Sequence, residues 1–534
     1  MKLNYLYRLI LFTITLSGQI FGQTSSPTPA PEESQAKPLE LPNYVIEGKG
    51  QINVQSGIKQ FSDKINKLTQ SELDSINSLQ KEQTILLPPK VLPLKIMSIF
   101  KSDGFIRAGI GTYLTPNAEF GYDFGIDRYN LFANAGIDAS QGHIDNSGYF
   151  RTFAKINSEY IAPDKFFIFG GSKTTTKFDL GYDKFKLYAI SSAPERTSFN
   201  FDLNINSTGS YDGFDFSTGG GYRILSLGGN SAKTDNNIKV YLDLKNNWKD
   251  FLIGGRLNLD FHSLNGIGMN FMEFLLNGKY FKDNLSFFGE GGFQFASGSA
   301  NATLANFLFD IRAELKQDNY FSYKASIKNY MSQNNYISAY SANPYLSDSL
   351  FFDFGRNLDL KVNAYYRPDE YYNFSAGLLY SFGTRTPYYS NADTSTFVIM
   401  YANTNRMALF SEGEIHLSKS DLLIYNFQYS LWSLSGYTLP YDIPLKLNIS
   451  YNRIWYETLS SSISLTYVSP RYADDKNITE LESFVDLSLF IEYKLNSKFD
   501  VFIKMNNLLN QNIYIWNNYK ERDIFLSAGI LLKF

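Results

Sequence analysis

Asp260 and His262 are the clearest pair of residues in the sequence that could act together in acid–base chemistry. Residues two apart on a β-strand point to the same face, so this carboxylate could orient the imidazole as a general base. Ser263 points to the opposite face, and no other nucleophile accompanies the pair. Without a nucleophile the catalytic set is incomplete, and we do not expect an enzyme.

A second pattern, Glu412, Glu414 and His416, places two carboxylates and an imidazole on one strand face. Such a ladder could bind a metal ion, but ordinary polar residues on a water-facing strand explain it equally well. Asp474 and Asp475 could contact Ca²⁺, although oxygen ligands this sparse are usually solvated. The three histidines of the chain form no metal-spaced cluster. We therefore predict no metal site and no cofactor.

The glycine run at residues 219–221 is the one candidate for a phosphate-binding loop. It lies within a strand pattern and lacks the helix that must follow such a loop. Close strand packing or a bend explains it better.

The composition excludes several classes of protein. The 534 residues carry 49 Lys and Arg against 52 Asp and Glu, so no excess of cations is available for binding nucleic acid. The chain has no Cys, which removes disulfides, thiolate zinc sites and cysteine nucleophiles. It has 45 Phe and 39 Tyr but only 4 Trp. Aromatic enrichment without long apolar runs favours a β protein that meets two kinds of solvent.

The N-terminus predicts export from the cytoplasm. Lys2 and Arg8 precede an apolar run at residues 9–16, and a small residue, Gly22, suits cleavage. This pattern is typical of a secretory signal peptide over residues 1–22. The run is far shorter than the ~20 apolar residues that a membrane-spanning helix needs. Residues 23–40, rich in Ser, Thr, Pro, Glu and Gln, predict a flexible linker.

Residues 41–103 predict a short periplasmic segment of mixed character. A β-like string occupies residues 41–49. The apolar spacing over residues 60–83 predicts one amphipathic helix, and the prolines of residues 86–93 require an extended chain.

From about Gly104 to the end, apolar and polar residues alternate strictly along segments of about a dozen residues. In the last segment Ile530, Leu532 and Phe534 share one face, and Leu531 and Lys533 share the other. One wholly apolar face and one charged face, repeated along many strands, predict strands that separate lipid from water. A soluble β-sandwich also alternates, but so many charged faces would leave it an implausibly large shared core.

Short turns alternate with long polar loops, such as residues 384–396, along the same region. This alternation is typical of a transmembrane antiparallel β-barrel, residues 104–534, with short turns on one rim and long loops on the other. Reading residues 165–190 as one long strand gives about 22 strands, within a range of 20 to 24. Phe534, Leu532 and Ile530 then form a lipid-facing terminal pattern, of the kind that the barrel-assembly machinery recognises in outer-membrane proteins.

The aromatic residues allow two interpretations. Pairs near strand ends, such as Tyr371 and Tyr372, fit interfacial girdles against outer-membrane lipid. Six others fall in or beside long loops, where they could pack the loops or contact a ligand or partner. They are Tyr340, Tyr345, Tyr388, Tyr389, Tyr437 and Trp516.

The end of the chain resembles the closing strands of TonB-dependent receptors. The resemblance is carried by FIKMNNLLN at residues 502–510, by Tyr514 and by RDIFLSAG at residues 522–529. Residues 41–48 are similar to the Val-rich string near the N-terminus of that family, and Tyr44, Val45 and Ile46 would pair with a TonB-like periplasmic protein. The resemblance implies a Gram-negative outer-membrane barrel with its N-terminus in the periplasm.

The chain departs from this family in one respect. About fifty residues separate Gly50 from Gly104, too few for the folded plug domain that fills the lumen of these receptors. Residues 60–97, inward-folded loops or a partner would then have to narrow the pore. Two functions stay open: solute passage across the outer membrane, and a non-transporting scaffold or subunit that holds another outer-membrane or periplasmic protein.

Overall fold

A computed structural model describes residues 103–534, apart from 230–232, 249–250, 299–302, 334, 348–351 and 434–436. The predicted signal peptide, the string containing Tyr44, Val45 and Ile46, and the predicted helix at residues 60–83 lie outside the described residues. No helix in the described part of the chain is long and apolar enough to cross a membrane.

Twenty-two strands form one antiparallel sheet. They are β1 (Gly104–Gly111), β2 (Thr115–Ile126), β3 (Tyr129–Ser140), β4 (Tyr149–Ile161), β5 (Lys173–Lys186), β6 (Glu195–Tyr211), β7 (Phe214–Gly228), β8 (Lys233–Trp248), β9 (Phe251–Leu264), β10 (Ile267–Lys282), β11 (Leu285–Ser297), β12 (Thr303–Lys316), β13 (Phe321–Ser332), β14 (Gly355–Tyr366), β15 (Tyr372–Asn391), β16 (Phe397–Ser418), β17 (Asp421–Ser433), β18 (Leu445–Tyr456), β19 (Leu459–Val468), β22 (Phe484–Lys494), β23 (Phe499–Asn506) and β26 (Phe525–Lys533). Two small hairpins stand apart in loops, β20 (Arg471–Tyr472) with β21 (Glu480–Leu481) and β24 (Tyr514–Trp516) with β25 (Tyr519–Lys520).

The sheet closes on itself because β1 pairs with both β2 and β26. The closing register runs from Phe105 opposite Lys533 to Gly111 opposite Ser527, and Gly104 exchanges backbone hydrogen bonds with Phe534. Closure leaves the 22-stranded sheet without an exposed edge. The predicted fold and strand number are confirmed.

Alternation along each strand sets the two faces of the barrel. On β26, Leu526 and Ile530 are exposed on the outside, whereas Ser527, Leu531 and Lys533 are buried inside. Side chains of successive strand residues point to opposite faces, so a period of two in the sequence gives an apolar exterior and a polar lumen. The glycine run of residues 219–221 lies inside β7, where a Cβ on Gly219 would stand 2.3 Å from the carbonyl oxygen of Ile205. Close strand packing therefore requires glycine there.

Turns differ between the two rims. On the rim that carries Gly104 and Phe534, which we call the short-turn rim, two-residue turns such as Asp283–Asn284 connect the strands. On the opposite, long-loop rim, residues 333–354 and 507–524 form the longest connections. The loop at residues 333–354 contains the helix α1 (Tyr336–Ala342), and the Asn335 side chain caps its N-terminus by accepting a hydrogen bond from the backbone of Ser338.

Two boundaries differ from the sequence prediction. Residues 165–190 are not one strand, because residues 162–172 form a long turn with a 3₁₀-helix at Phe167–Phe169 before β5 begins. The Phe169 ring packs 5.6 Å from that of Phe216 on the outer face of β7, and Gly171 takes a φ of +69°. The predicted loop over residues 384–396 is also too long, since β15 continues to Asn391 past an irregularity between Gly383 and Thr386.

Candidate functional site

The loop of residues 333–354 folds across the lumen. Arg196, near the start of β6, donates hydrogen bonds to the backbone oxygens of Pro344 and Leu346 in this loop. Strands β7 to β12 separate β6 from β13 in the sheet, so the contact joins distant parts of the wall. Leu346 is fully buried at 0% exposure. The inward-folded loop therefore narrows the pore.

A second loop meets the first from another part of the wall. The rings of Tyr345 and Tyr519 are stacked with centroids 3.5 Å apart, and Tyr188 meets Tyr519 edge-on at 4.9 Å. The Tyr519 hydroxyl donates to the backbone oxygen of Ser395 at 2.6 Å. Residues 187–194, 392–396, 507–524 and the described residues of 333–354 thus pack together, and we call them the cap.

The cap has its own apolar core, shared with the lumen-facing ends of the strands. Buried members from the strands and the cap include Leu225, Leu227, Met269, Phe271, Met331, Tyr336, Tyr340, Leu346, Phe352, Phe354, Phe397 and Tyr519. A cluster of this kind is stabilised by removal of apolar area from water, at about 25 cal/mol per Å². The cap is therefore a packed element of the fold.

Four of the six loop aromatics singled out from the sequence belong to this core or pack against it: Tyr340, Tyr345, Tyr389 and Trp516. Tyr388 lines a small groove beside α1, and Tyr437 is 53% exposed. Tyr340, Tyr345, Tyr389 and Trp516 therefore fit the interpretation in which these aromatic residues pack the loops.

A cavity of about 520 Å³ lies between the cap and the wall formed by β3 to β7. Its aromatic lining includes Tyr149 and Phe150 at the start of β4, Phe185 near the end of β5, and Tyr188, Tyr340 and Tyr345 from the cap. Volumes of roughly 300–1,000 Å³ are typical of sites for small ligands. This cavity is the candidate functional site.

Charged groups of both signs line the cavity. Arg151 pairs with Asp183 at 2.7 Å. The Tyr149 hydroxyl donates to Asp138 at 3.1 Å and accepts a hydrogen bond from Arg522. These pairs connect the strand ends to the loop of residues 507–524.

Lys186, Glu521 and His143 also line the cavity. The Lys186 ammonium donates to the Asn146 side-chain oxygen at 3.0 Å. Burial raises the pKa of Glu521, and the positive charge of Arg522 only partly opposes this shift. Burial lowers the pKa of His143, whose Nε2 lies 2.9 Å from the backbone oxygen of Lys520. At neutral pH the imidazole is therefore largely uncharged and donates that hydrogen bond.

The Asp260–His262 pair forms as predicted, with His262 Nε2 2.9 Å from Asp260 Oδ1. His262 Nδ1 lies 3.5 Å from Asp235, and Lys239 lies 3.1 Å from Asp260. Asp260 and His262 lie on β9, Asp235 and Lys239 lie on β8, and the two carboxylates and the imidazole are buried. The group ties β8 to β9.

The residues of the two other acidic patterns, at residues 412–416 and 474–475, make separate local contacts. His416 Nε2 is 3.0 Å from Glu414, whereas Glu412 accepts a hydrogen bond from Ser375 instead. Asp474 accepts backbone hydrogen bonds from residues 476, 478 and 479, so it stabilises its own turn. Within the described ranges no group of three or more His, Asp or Glu could hold a metal ion.

Sequence reasoning missed His143, Lys186 and Glu521, which all line the cavity. His143 and Glu521 lie in two connections on the long-loop rim and Lys186 ends β5, and no sequence spacing relates the three residues. The run of alternating charge at residues 520–523, directly after Tyr519, is the one local sign of a site.

No protein-family model matches the chain, and no curated protein matches it either. Many solved structures do. The FrpB iron transporter from Neisseria meningitidis, in its apoprotein form, is 9% identical, with a TM-score of 0.66 over 82% of each chain. The ferric yersiniabactin uptake receptor FyuA from Yersinia pestis is 10% identical, with a TM-score of 0.62 over 81% of this chain and 80% of that one. The copper transporter OprC is 12% identical, with a TM-score of 0.62 over 81% of each chain.

These likenesses establish the fold. The chain is a barrel of the TonB-dependent receptor type, as the resemblance of its closing strands implies. A shared fold leaves the activity to be argued from the site.

Proposed function

We propose that this protein is an outer-membrane barrel through which a solute passes, with the cap controlling the opening. One observation carries the proposal: a closed 22-strand barrel, apolar outside and charged inside, has its lumen crossed by its own loops. A closed barrel is the form in which strands can span a bilayer, since every backbone group finds a partner. The secretory signal predicted at residues 1–22 supports the same compartment.

The solved neighbours support a transport role rather than catalysis. They are named as transporters of iron and copper and as an uptake receptor for ferric yersiniabactin. We infer that this chain likewise handles a solute and is not an enzyme, since the Asp260–His262 pair has no nucleophile on its strand face.

Energy coupling would come through the N-terminal segment. Tyr44, Val45 and Ile46 are proposed to pair with a TonB-like periplasmic protein by strand addition. A movement transmitted from there would have to reach the cap. A neighbour solved as a complex of FpvAI with pyocin S2 is an example of this fold holding another protein.

The second candidate function is a scaffold, or a subunit of an outer-membrane complex. The cap favours it, because loops packed this closely across the lumen oppose free diffusion. The two functions differ in whether the cap opens.

Conductance in planar bilayers tests the proposal. The native protein is expected to pass little steady current, whereas replacing residues 335–346 by a Gly/Ser linker is expected to give a large open-pore current. The same linker inserted between Asn265 and Gly266, a tight turn on the same rim, is the matched control and is expected to behave as the native protein. A cap variant that conducts no more than this control would support the scaffold.

A further inference from the structure

The cavity under the cap contains a carboxylate without a partner. Glu521 lines it, and among the residues that the structure describes no hydrogen bond or ion pair reaches its side-chain oxygens. Its backbone N–H is held by the carbonyl oxygen of Ile513 at 2.8 Å, so the residue is fixed in place. A largely buried carboxylate of this kind is costly unless a cation or a donor meets it. An ammonium group would satisfy it.

Two cationic side chains, those of Lys186 and Arg522, line the same cavity. Lys186 carries three N–H donors, and the described residues supply one acceptor, the side-chain oxygen of Asn146. Arg522 donates to the Tyr149 hydroxyl, a neutral partner, and no carboxylate of the described chain lies within 4.0 Å of either cation. A carboxylate group would satisfy them.

The aromatic rings argue against a sugar. A sugar needs an open ring face, but the face of Tyr345 is covered by Tyr519. The guanidinium of Arg522 lies 5.1 Å from the centroid of the Tyr149 ring. Tyr188 meets both His143 and Tyr345 edge-on, at 6.2 Å each. Tyr149, Tyr188 and Tyr345 therefore present ring edges to the cavity more than open faces, and ring edges suit an apolar chain with polar ends.

The charges also argue against a metal ion and a polyanion. No metal-holding group of carboxylates and imidazoles occurs in the described ranges. Asp138, Asp183 and Glu521 line the cavity together with its cations, and they would repel a polyanion. What remains is a molecule that carries an amine and a carboxylate at its two ends.

We propose that this cavity binds a short peptide, with its terminal ammonium at Glu521 and its terminal carboxylate at Lys186 and Arg522. The cavity of about 520 Å³ exceeds the needs of a single amino acid. The inference names the solute class for the passage proposed above and rests on that proposal.

Calorimetric titration of the full-length protein in detergent with trialanine tests the inference. Trialanine is expected to bind, and N-acetyl-trialanine and trialanine amide, which each lack one charged end, are expected to bind at least about tenfold more weakly. Equal affinity for trialanine and for the form blocked at both ends would overturn the inference, as would binding of maltotriose in place of trialanine.

Variants assign each end. Glu521→Gln is expected to weaken trialanine binding about tenfold and to leave the affinity for N-acetyl-trialanine unchanged, because the acetylated end no longer offers a cation. Lys186→Gln is expected to leave the affinity for trialanine amide unchanged while it weakens binding of trialanine. Glu314→Gln is the control, since Glu314 pairs with Lys324 near the short-turn rim. Heat-modifiable mobility on gels confirms that each variant is folded, and the blocked peptides test the idea on the native protein alone.

The two proposals fail separately. A folded native protein that binds no trialanine overturns peptide recognition and leaves the conductance result standing. A cap variant that stays closed in bilayers, while the native protein binds trialanine through Glu521, overturns solute passage and leaves recognition standing.

Discussion

The rings of Tyr345 and Tyr519 lie face to face at 3.5 Å, with an angle of 15° between their planes. Tyr345 comes from the connection between β13 and β14, and Tyr519 from the connection between β23 and β26. Strands β14 to β19, β22 and β23 lie between these two connections in the wall. The stack therefore joins two parts of the cap that start from different parts of the wall.

Tyr345→Ala and Tyr519→Ala are each expected to raise the open fraction of single channels. The double variant is expected to add little to either single one, because the first substitution already breaks the stack. The coupling should correspond to about 0.5–1.5 kcal/mol, the range for aromatic pairs. Tyr437→Ala, at a residue that is 53% exposed, is the control and should leave the open fraction unchanged. Additive effects of the two substitutions would mean that the rings act independently.

Truncation of Phe534 is expected to reduce the outer-membrane fraction while secretion continues. Its ring packs 6.4 Å from those of both Phe120 and Tyr122 on the outer face of β2, so it lies across the seam of the barrel. Leu532→Lys is expected to act in the same direction, because a lipid-facing charge costs roughly 2–4 kcal/mol at mid-membrane and less near a rim. Leu531→Lys, on the lumen face, is the matched control and should insert far better. Equal insertion of the two lysine variants would contradict the facing of β26.

Lys533→Met is expected to destabilise the barrel strongly. Lys533 and Asp500 form a buried ion pair, with exposures of 5% and 0%. Removing one partner from a buried pair costs about 3–5 kcal/mol, because the other charge is left uncompensated. The double variant, Lys533→Met with Asp500→Leu, removes both charges and should recover most of the loss. Urea midpoints read by gel mobility would measure this, and Lys498→Met in an exposed turn should shift the midpoint little.

The loop around Asp442 is expected to loosen as pH rises. Burial raises the pKa of this carboxyl to about 7, and Arg406 is the charged group that opposes the shift. The pKa of an Asp in an unfolded chain is ~3.9, so between pH ~4 and ~7 the folded loop binds a proton that the unfolded loop does not. This proton stabilises the folded loop, and the stabilisation is lost as the pH rises from ~4 to ~7. Corrected hydrogen-exchange protection of the Tyr441 and Asp442 amides should therefore fall roughly a hundredfold from pH ~5 to ~8. Asp442→Asn should abolish the pH dependence, and a variant that keeps it would point to another group.

Deletion of residues 24–51 is expected to leave the barrel folded and inserted, because these residues contribute no predicted strand. The same deletion should abolish a pull-down with a TonB-like periplasmic protein, since it removes Tyr44, Val45 and Ile46. Deleting residues 24–37 alone is the control and should preserve the pull-down. Loss of heat-modifiable mobility in the longer deletion would show that the barrel needs this segment.

The barrel wall was predictable because its information is local. The alternation of Ile530 and Leu532 with Leu531 and Lys533 is a property of neighbouring residues, and it fixes facing and strand existence together. Prediction failed at residues 165–190, where the apolar run of residues 166–169 in the turn imitates a strand. Phe169 packs on Phe216, whereas Phe167 is exposed, and neither lies in a paired strand.

The cavity was not predictable from the sequence. Glu521 and His143 lie in two connections on the long-loop rim and Lys186 ends β5, and these separate parts of the chain meet at one cavity. Loop aromatics such as Tyr345 were noticed by their type, but their partners are set by the diameter and closure of the barrel. Contacts across the lumen produce no periodic pattern in the sequence.

The cap also dictates an order of assembly. Its contacts join the connection before β26 to connections that precede β6, β14 and β16, so we expect them to form after the strands of the wall have paired. Contacts between such distant parts of a chain form late, because their loop-closure entropy is paid only once the wall brings them together. We therefore expect the loops to close the lumen only after the barrel wall is complete. Substitutions in the cap should therefore speed the opening of the cap far more than they slow insertion of the barrel into the bilayer.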